Sequence, residues 1–421
     1  MREKADPTAP PVRKRGSLAD VAPYALTIGA VLLAWQVAIQ PLMQRAPVEA
    51  AIRMAPGSPL VLRRAAEAEL VDERDANAAS LARDALARSP FDVRALRVVG
   101  LTEARAGRTG TADEILTLAG NWSLRDDPAH AWLVEHRLRR GDYASAFAHA
   151  DTLVRRREDI RPQVFRLFTV AATEDRARAL PEVAVLLAAR PPWRQSYLDT
   201  LFANPQGLQV AAGLAILLQS SRAPLTNAEL RQLYLHLLDK GQLEAVRTVR
   251  ERLNRPAASA IVTNGGFGDD SAPEPFQWVL AQEAGVIAEI VSDDVTPEDR
   301  ALRVEYDGFE TARIAEQLTF MRPGRYRLEA ESRIESGDPS SVLVWTVTCA
   351  PGDLVILATP AAPLVAAPGS SNWNRVKAAF TIPAACPAQW LRLETRAGDR
   401  RAPSAVWFDR VAIAPDQTAA E

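Results

Sequence analysis

The pattern of apolar and polar positions divides this chain of 421 residues into a helical part and a strand-rich part. Up to residue 255, apolar residues recur at helical spacing in segments that turn residues interrupt. From residue 257 onward the period changes to two, which is typical of half-buried strands. The change occurs at the stretch NGGF (264–267), where the glycine pair permits a tight turn that a helix could not take. The pattern therefore predicts a helical domain at 46–255 and a β-domain at 257–415.

A period of 34 residues runs through the first part of the helical domain and defines three units, 59–92, 93–126 and 127–160. Small residues recur at two positions of the unit, as expected where the two helices of a pair cross closely. The first position holds Ala66, Gly100 and Val134, and the second holds Ala78, Ala112 and Ala146. Residues 163–255 remain helical without this register, and Lys240-Gly241 indicates a further helical hairpin there.

These positions resemble the tetratricopeptide repeat (TPR), whose units are pairs of antiparallel helices. The resemblance implies a TPR-like α-solenoid, and such solenoids bind a peptide or a protein partner on their concave face. Val134 is larger than the family pattern, and the closing proline, Pro90 in the first unit, is absent from the other two. The alternative function is that of a spacer, which would hold the C-terminal domain away from a membrane.

Six segments of the C-terminal part alternate or run apolar, with turns rich in Gly, Pro and Asp between them. They are 301–306, 325–334, 341–349, 375–382, 389–395 and 405–413. Short strands separated by such turns predict an antiparallel β-sandwich of the jelly-roll type. The predicted fold class is multidomain α plus β, with one N-terminal transmembrane helix, a helical solenoid and a C-terminal sandwich.

The order of motifs in this part resembles the galactose-binding-like jelly roll of bacterial carbohydrate-binding modules. The motifs are NGGF at 264–267, Trp278, ALRVEYDG at 301–308, PGRYRLEAESR at 323–333, Trp373 and WFDRVAI at 407–413. The resemblance implies glycan binding, in which aromatic rings stack on the apolar faces of sugars and polar groups bond to hydroxyls.

Trp278 and Trp373 are the candidates for stacking on sugar, because both are predicted near loops. The alternative for both is a structural role as loop anchors. Arg313 and Gln317 are polar strand residues, close to Glu316, that could line the concave face of the sandwich. Three further tryptophans lie within predicted strands and are expected in the core: Trp345, Trp390 and Trp407.

The resemblance also implies a structural calcium ion, held by an acid just after the first Phe and an acid in the last strand. In this chain Asp409 stands at the second position. Gly268 stands at the first, so Asp269 would have to take its place. Carboxylate oxygens are suitable ligands for a hard cation. No other cofactor is expected.

Residues 22–43 form an apolar segment long enough to cross a bilayer core. Five basic residues precede it: Arg2, Lys4, Arg13, Lys14 and Arg15. The positive-inside rule then predicts a cytoplasmic tail at 1–21, a single-pass anchor in a bacterial inner membrane and a periplasmic bulk. The alternatives are a cleaved signal peptide and a buried core helix. Residues 416–421 are predicted to form a disordered tail.

Cys349 and Cys386 are the two cysteines of the chain, and both lie in the strand-rich part. If the protein is exported, we expect them to form a disulfide, because the periplasm is oxidising. The alternative is a pair of buried free thiols. In the chain-entropy model, closing this loop would stabilise the fold by roughly 3–4 kcal/mol.

Composition and motifs exclude several function classes. The net charge of −2 argues against nucleic acid as a partner, because phosphate binding needs a basic surface. The sequence has no P-loop, nucleophile elbow or zinc motif, and its last histidine, His236, precedes the sandwich. The other histidines, His130, His136 and His149, are interpreted as surface or core residues. We therefore expect no enzyme activity.

The sequence thus predicts a non-catalytic, membrane-anchored accessory protein in the assembly or export of an extracellular polysaccharide. The repeats would bind a protein partner of that machinery, and the sandwich would contact glycan. The first alternative is a protein-only scaffold whose sandwich binds protein or is structural. A more remote alternative is a glycan-processing enzyme, which would need two acids facing each other across a cleft.

Overall fold

A computed structural model describes residues 26–31, 33–35, 43–253, 260–269, 271–294, 296–309, 311–337, 343–350, 352, 354–362, 372–396 and 403–416. The chain divides into two compact units, Met1–Leu153 and Val154–Glu421. The first unit is helical, whereas the second contains both helices and an antiparallel β-sandwich.

Three helical hairpins form the first unit after a short helix, α1 (Val48–Met54). Their helices are α2 (Pro59–Val71), α3 (Asp75–Arg88), α4 (Val93–Arg105), α5 (Thr109–Trp122), α6 (Asp127–Arg139) and α7 (Tyr143–Val154). The first helices of successive hairpins begin 34 residues apart, and so do the second helices. The helical pairs and their period agree with the sequence, whereas membership in the TPR family stays a resemblance.

The same ion pair connects successive hairpins. Arg63 of α2 bonds to Asp92 at 3.4 Å, and Arg97 of α4 bonds to Asp126 at 3.0 Å, 34 residues later. Asp92 and Asp126 also cap the helices that follow them, since each carboxylate accepts a hydrogen bond from a backbone N–H of the first turn. One acid therefore both starts a helix and joins it to the preceding hairpin.

Small residues lie where the helices of a hairpin cross, as the sequence predicts. Ala66, Ala78, Ala112 and Ala146 are fully buried. A Cβ atom added at Gly100 would lie 2.6 Å from Cγ of Leu116, so α4 and α5 approach too closely for a larger residue there. Val134, the largest residue at these positions, is only half-buried.

Two histidines meet inside the third hairpin. Nδ1 of His130 in α6 lies 3.0 Å from Nδ1 of His149 in α7, and His130 is buried. Burial lowers the pKa of His149 to about 4, and the nearby His130 and Arg137 lower it further, against smaller opposing effects of Asp113 and Asp142.

We expect the free energy of unfolding to decrease as the pH falls from about 6.5 towards about 4, because over that range the unfolded chain binds a proton that folded His149 does not. Since this side chain is partly exposed, solvent screening reduces the effect to about 1–3 kcal/mol. Urea unfolding at a series of pH values measures it. His149→Gln should flatten the profile, whereas His236→Gln, which lies outside this contact, should leave it unchanged. An unchanged slope in His149→Gln would show that other groups cause the pH dependence.

Six helices open the second unit. They are α8 (Arg161–Glu174), α9 (Arg176–Ala188), α10 (Arg194–Phe202), α11 (Pro205–Leu218), α12 (Asn227–Asp239) and α13 (Leu243–Arg252). Thr226 and Glu229 form a capping box at the start of α12. Gly241 has a left-handed backbone (φ 66°) between α12 and α13, which confirms the hairpin predicted at Lys240-Gly241.

Two five-stranded antiparallel sheets form the sandwich. Its strands are β1 (Val279–Leu280), β2 (Val286–Ser292), β3 (Arg300–Tyr306), β4 (Arg313–Thr319), β5 (Gly324–Ser336), β6 (Leu343–Ala350), β7 (Val355–Pro360), β8 (Asn374–Ile382), β9 (Ala388–Thr395) and β10 (Ser404–Pro415). Sheet A has the order β1-β4-β9-β6-β7, and sheet B has the order β2-β3-β10-β5-β8. Side chains such as Leu302, Trp345, Leu391 and Phe408 fill the core between them.

The disulfide between Cys349 and Cys386 is present, which confirms the predicted pairing. Cys349 lies near the end of β6, and Cys386 lies in the turn before β9. Both residues are buried. The bond therefore ties two neighbouring strands of sheet A through the core.

The stretch NGGF forms the predicted turn, but its glycines are needed for a different reason. The left-handed residues of the stretch are Asn264 (φ 52°) and Phe267 (φ 55°). Gly265 instead lies directly against β10, where its carbonyl accepts a hydrogen bond from Val411 N–H at 2.8 Å. A Cβ atom at Gly265 would lie 1.9 Å from the Val411 carbonyl oxygen.

Gly265→Ala is expected to lower the free energy of unfolding by about 2–3 kcal/mol, because a backbone oxygen cannot move away without breaking the contact with β10. Gly266→Ala is the matched control. Its Cβ atom would meet only Asp409 Oδ1, at 3.7 Å, so a change below about 1 kcal/mol is expected. Chemical denaturation of both variants measures the difference. Equal effects would show that loop flexibility, rather than the close approach, requires Gly265.

The predicted cytoplasmic tail, membrane anchor and C-terminal tail lie mainly outside the described residues. The cytoplasmic tail at 1–21 lies outside them altogether, and of the anchor at 22–43 only the helical residues 26–31 and 33–35 and Met43 are described. Within the part of the chain that the structure describes, no helix is both long and apolar enough to span a membrane. Asp416, assigned to a disordered tail, instead bonds through its backbone N–H to the Arg325 carbonyl at 3.0 Å.

Candidate functional site

Four side chains form a row across the outer face of sheet B. Strand register places Trp407 of β10 beside Arg303 of β3 on one side and beside Arg333 of β5 on the other. Trp373 lies just before β8, which is the next strand along. The neighbours of Trp407 in its own strand, Val406 and Phe408, belong to the core, so side-chain alternation directs Trp407 away from the core. We call Arg303, Trp407, Arg333 and Trp373 the Arg–Trp row.

Guanidinium groups and indole rings alternate along the row. The Arg303 Cζ atom lies 5.7 Å from the ring centroid of Trp407, and the Arg333 Cζ atom lies 4.9 Å from it. Arg333 also lies 5.4 Å from the ring centroid of Trp373. These are cation–π distances, so each arginine is held against an aromatic face.

Acids fix the positions of the row. Glu335 accepts a hydrogen bond from Trp407 Nε1 at 2.8 Å and two from Arg303, at 2.9 and 3.0 Å. Asp293, which is buried, accepts one from Arg333 Nη2 at 2.8 Å, and Asp294 bonds to the same nitrogen. Each arginine of the row is therefore paired with at least one carboxylate, and Glu335 fixes the ring of Trp407.

Hydrogen bonds from arginines control the ionisation of Glu335 and of Glu331, which lies on the same strand. Hydrogen bonds from Arg303 hold the pKa of Glu335 below its usual range, against an opposing effect of burial. Burial alone would raise the pKa of Glu331, in the neighbouring register position, but bonds from Arg375 and Arg410 outweigh it and lower the pKa. Both acids are thus charged at neutral pH.

The row is buried in the middle and accessible at both ends. Trp407 and Arg333 are 4% and 5% exposed. Trp373 is half-buried at one end, and Asp294, which bonds to the same Arg333, is exposed. At the other end, Arg303 and Glu335 line a cleft of about 580 Å³. Cleft volumes of roughly 300–1,000 Å³ are typical of small-ligand sites.

Within the described residues, the outer face of sheet A carries one comparable group. Trp390 of β9 is half-buried, and the Arg392 Cζ atom lies 5.4 Å from its ring centroid. Arg392 bonds to Glu316 at 2.9 Å and to Thr348 at 3.2 Å. Trp390 therefore has a guanidinium group at the same distance as Trp373 has, but no second tryptophan of the described strands extends this group into a row. It was expected in the core and lies outside it.

The four residues predicted to bind glycan do not form one site. Trp278 is 4% exposed, packs against Phe267 and Trp345, and donates from Nε1 to the Asn264 carbonyl at 3.0 Å. The structure therefore supports the alternative role of Trp278 as an anchor. Of the two predicted tryptophans, Trp373 is the one that reaches the surface.

Gln317 and Arg313 lie on β4 of sheet A, on the opposite sheet from Trp373. Gln317 is fully buried. Its side-chain amide accepts a hydrogen bond from Thr263 N–H at 2.7 Å and donates one to the Thr263 carbonyl at 2.8 Å. It therefore joins the first turn of the sandwich to β4 and has no surface to offer a ligand. Arg313 is exposed and lies near Glu394 at the edge of the sheet.

The predicted calcium ligands are engaged elsewhere. Asp269 is exposed and accepts hydrogen bonds from the backbone and hydroxyl of Ser271, at 2.8 and 3.0 Å. Asp409 accepts one from Arg410 N–H at 2.7 Å, and burial raises its pKa. In the described part of the chain, no group of three or more His, Cys, Asp or Glu side chains is arranged to hold a metal. Asp269 and Asp409 thus each bond to a nearby residue of the chain, and the calcium site stays a prediction.

Sequence reasoning missed Arg333 and the outward position of Trp407. The signal that could have found both is parity, because residues two apart in a strand share a face. In β10, Val406 and Phe408 are the apolar pair, which leaves Trp407 on the other face. The pairing of Arg333 with Asp293 could not be predicted, because it joins residues 40 positions apart.

No protein-family model and no curated protein matches this sequence. Several solved structures are similar to part of it. One is the module CBM4, with 15% identity and a TM-score of 0.26 over 37% of this chain and 99% of that one. Another is the CBM22-1 xylan-binding domain of Paenibacillus barcinonensis Xyn10C, with 12% identity and a TM-score of 0.26 over 34% of this chain and 89% of that one. A third is TmCBM61 in complex with β-1,4-galactotriose, with 14% identity and a TM-score of 0.25 over 37% of this chain and 99% of that one. Identities and TM-scores this low do not identify a ligand for this chain.

Proposed function

We propose that this protein is a non-catalytic accessory protein of a bacterial inner membrane that acts in the assembly or export of an extracellular polysaccharide. The sandwich binds glycan at the Arg–Trp row, and the helical repeats bind a protein partner. The apolar segment 22–43 anchors the chain, with the tail at 1–21 in the cytoplasm. The disulfide supports a periplasmic location of the bulk, because such bonds persist in oxidising compartments.

The Arg–Trp row is the observation that carries the glycan proposal. Sugar recognition needs an aromatic face for the apolar side of a pyranose ring and charged or polar groups for its hydroxyls. Trp373 offers the ring at the surface, and Asp294, which bonds to the same Arg333, offers a carboxylate that is 58% exposed. Trp407 and Arg333, locked by Glu335 and Asp293, hold this surface rigid, which reduces the ordering cost of binding.

The ionisation of the acids supports a binding role rather than hydrolysis. A glycosidase needs one carboxyl group with a raised pKa to protonate the leaving group. Glu331 and Glu335 have lowered pKa values because arginines bond to them. Asp409 has a raised pKa, but it is largely buried and bonds to the backbone of Arg410.

A protein-only scaffold is the second candidate, and one observation in the first unit favours it. Large apolar side chains are exposed around the second hairpin: Phe91 (80%), Trp122 (44%) and Leu124 (63%). The rings of Phe91 and Trp122 lie 5.6 Å apart. A cluster of exposed aromatic residues is typical of protein-interaction surfaces. This cluster also supports the partner-binding role of the repeats in the first proposal.

Trp373→Ala is expected to weaken glycan binding by about 2 kcal/mol, on the order of 30-fold, since it removes the exposed ring of the row. The measurement is affinity electrophoresis of the full-length chain in detergent through the envelope polysaccharides of its own source organism. Unchanged circular dichroism must accompany the loss.

Trp390→Ala is the matched control, because both tryptophans are half-buried and each has a guanidinium group 5.4 Å from its ring. It should bind like the unmodified chain. Loss of binding in Trp390→Ala alone would move the site to sheet A.

Absence of binding to every envelope glycan would favour the scaffold, and Phe91→Ser should then abolish capture of the protein partner.

A further inference from the structure

A cavity of about 90 Å³ lies between α11, α12 and α13 and the first loop of the sandwich. Its lining is mainly apolar and includes Leu225, Leu230, Tyr234 and Phe276. The Tyr234 and Phe276 rings meet edge to face with centroids 5.0 Å apart, so the helices and the sandwich each supply an aromatic wall. Arg250 of α13 is the one charged residue among the described residues that line it.

Arg250 has no carboxylate partner among the described residues. Its guanidinium Cζ atom lies 4.2 Å from the ring centroid of Phe276, and its Nη2 makes a long hydrogen bond of 3.5 Å to the hydroxyl of Thr263. A guanidinium has five N–H donors in a fork that matches a carboxylate. Among the described residues, Thr263 is the one hydrogen-bond partner of this fork, which leaves donors for a ligand in the cavity.

Arg250 is half-buried, and three other arginines of this unit with little exposed surface show what it lacks. Arg194 bonds to Glu229 at 3.0 Å, Arg333 to Asp293 at 2.8 Å and Arg392 to Glu316 at 2.9 Å. Their side chains are 11%, 6% and 10% exposed. A poorly solvated cation without an anion is costly. Burial accordingly lowers the pKa of Arg250, against smaller opposing charge effects of Tyr234 and Glu251.

We propose that this cavity binds a small aliphatic carboxylate, whose charged group bonds to Arg250 and whose body packs against Leu225, Leu230 and Phe276. One cation in an apolar lining suits a monoanion, whereas a phosphate dianion needs more donors. A dry cavity of about 150 Å³ holds the six carbons of benzene, so in proportion this one of about 90 Å³ holds an apolar body of about three or four carbons, such as the isobutyl group of isovalerate. The ligand would contact both the helices and the sandwich, and would stabilise their association.

The experiment is a calorimetric titration of the full-length chain with isovalerate and with isovaleramide, which has the same shape without the charge. Isovalerate should bind and raise the unfolding temperature, and isovaleramide should do neither. Arg250→Met should weaken isovalerate binding on the order of tenfold or more, since it removes charged hydrogen bonds. Arg247→Met, on the same helix but outside the cavity, should bind isovalerate normally.

Ala272→Leu keeps the test decisive if Arg250→Met does not fold. Ala272 lines the cavity and is half-buried, so a larger side chain there fills the space and leaves Arg250 in place. It should abolish isovalerate binding with unchanged circular dichroism. Failure of the unmodified chain to bind isovalerate, equal binding of the amide, or full binding by Ala272→Leu would each overturn the proposal.

Discussion

Arg333→Met is expected to lower the free energy of unfolding by about 3–5 kcal/mol, because it leaves a buried carboxylate without its charged partner. Asp293 is 3% exposed and bonds to Arg333 at 2.8 Å. The substitution also removes the cation between the rings of Trp373 and Trp407. Methionine retains most of the volume of the side chain, so the loss measures charge pairing rather than a cavity. Urea unfolding followed by tryptophan fluorescence gives the value.

Arg303→Met is the control for this prediction. Arg303 also contacts Trp407, but its side chain is 25% exposed, and its partners Glu305 and Glu335 are 43% and 38% exposed. Ion pairs with this much solvent contribute about 1 kcal/mol or less. If both variants lose the same stability, the buried pair with Asp293 is not what holds the row in place.

Replacement of both cysteines, Cys349→Ala with Cys386→Ala, is expected to lower the free energy of unfolding by roughly 3–4 kcal/mol, since the bond closes a long loop in the unfolded chain. The residues are 37 positions apart. Both are buried, so loss of the sulfur atoms adds a smaller packing cost.

Reduction of the unmodified protein by dithiothreitol separates the two contributions, because it breaks the bond and keeps both side chains. Reduced protein should lose most of the stability that the double variant loses. A reduced protein as stable as the oxidised one would mean that the disulfide does not constrain the unfolded chain.

The helical hairpins and six strands were predictable because their patterns are strong. Each predicted strand agrees with an observed one to within about two residues, which is the usual uncertainty of boundaries. The strands that sequence reasoning left out include β1, β2 and β7, which are edge strands. An edge strand is covered less completely, so its alternation is weak, as the half-exposed side chains of β7 show.

The site was less predictable, because it depends on which face each strand presents. The register between β4 and β9 shifts between Arg313 and Ala315, and beyond the shift Gln317 faces the interior. A sequence alone does not reveal such a bulge. The place of Trp373 near a loop predicts its role from sequence. The role of its neighbour Arg333 can be deduced only when the pairing of β5 with β10 is known.

The measurement that tests the glycan proposal most directly is oxidation of the full-length chain by N-bromosuccinimide, which modifies accessible indole rings. The reaction is run on the free chain and on the chain saturated with the envelope glycan that it binds. Mass spectrometry then reports the modification of each tryptophan with and without glycan. We predict that glycan protects Trp373 and leaves Trp390 as reactive as before. Protection of Trp390 with Trp373 still reactive, or saturating glycan that protects neither ring, would contradict binding at the Arg–Trp row.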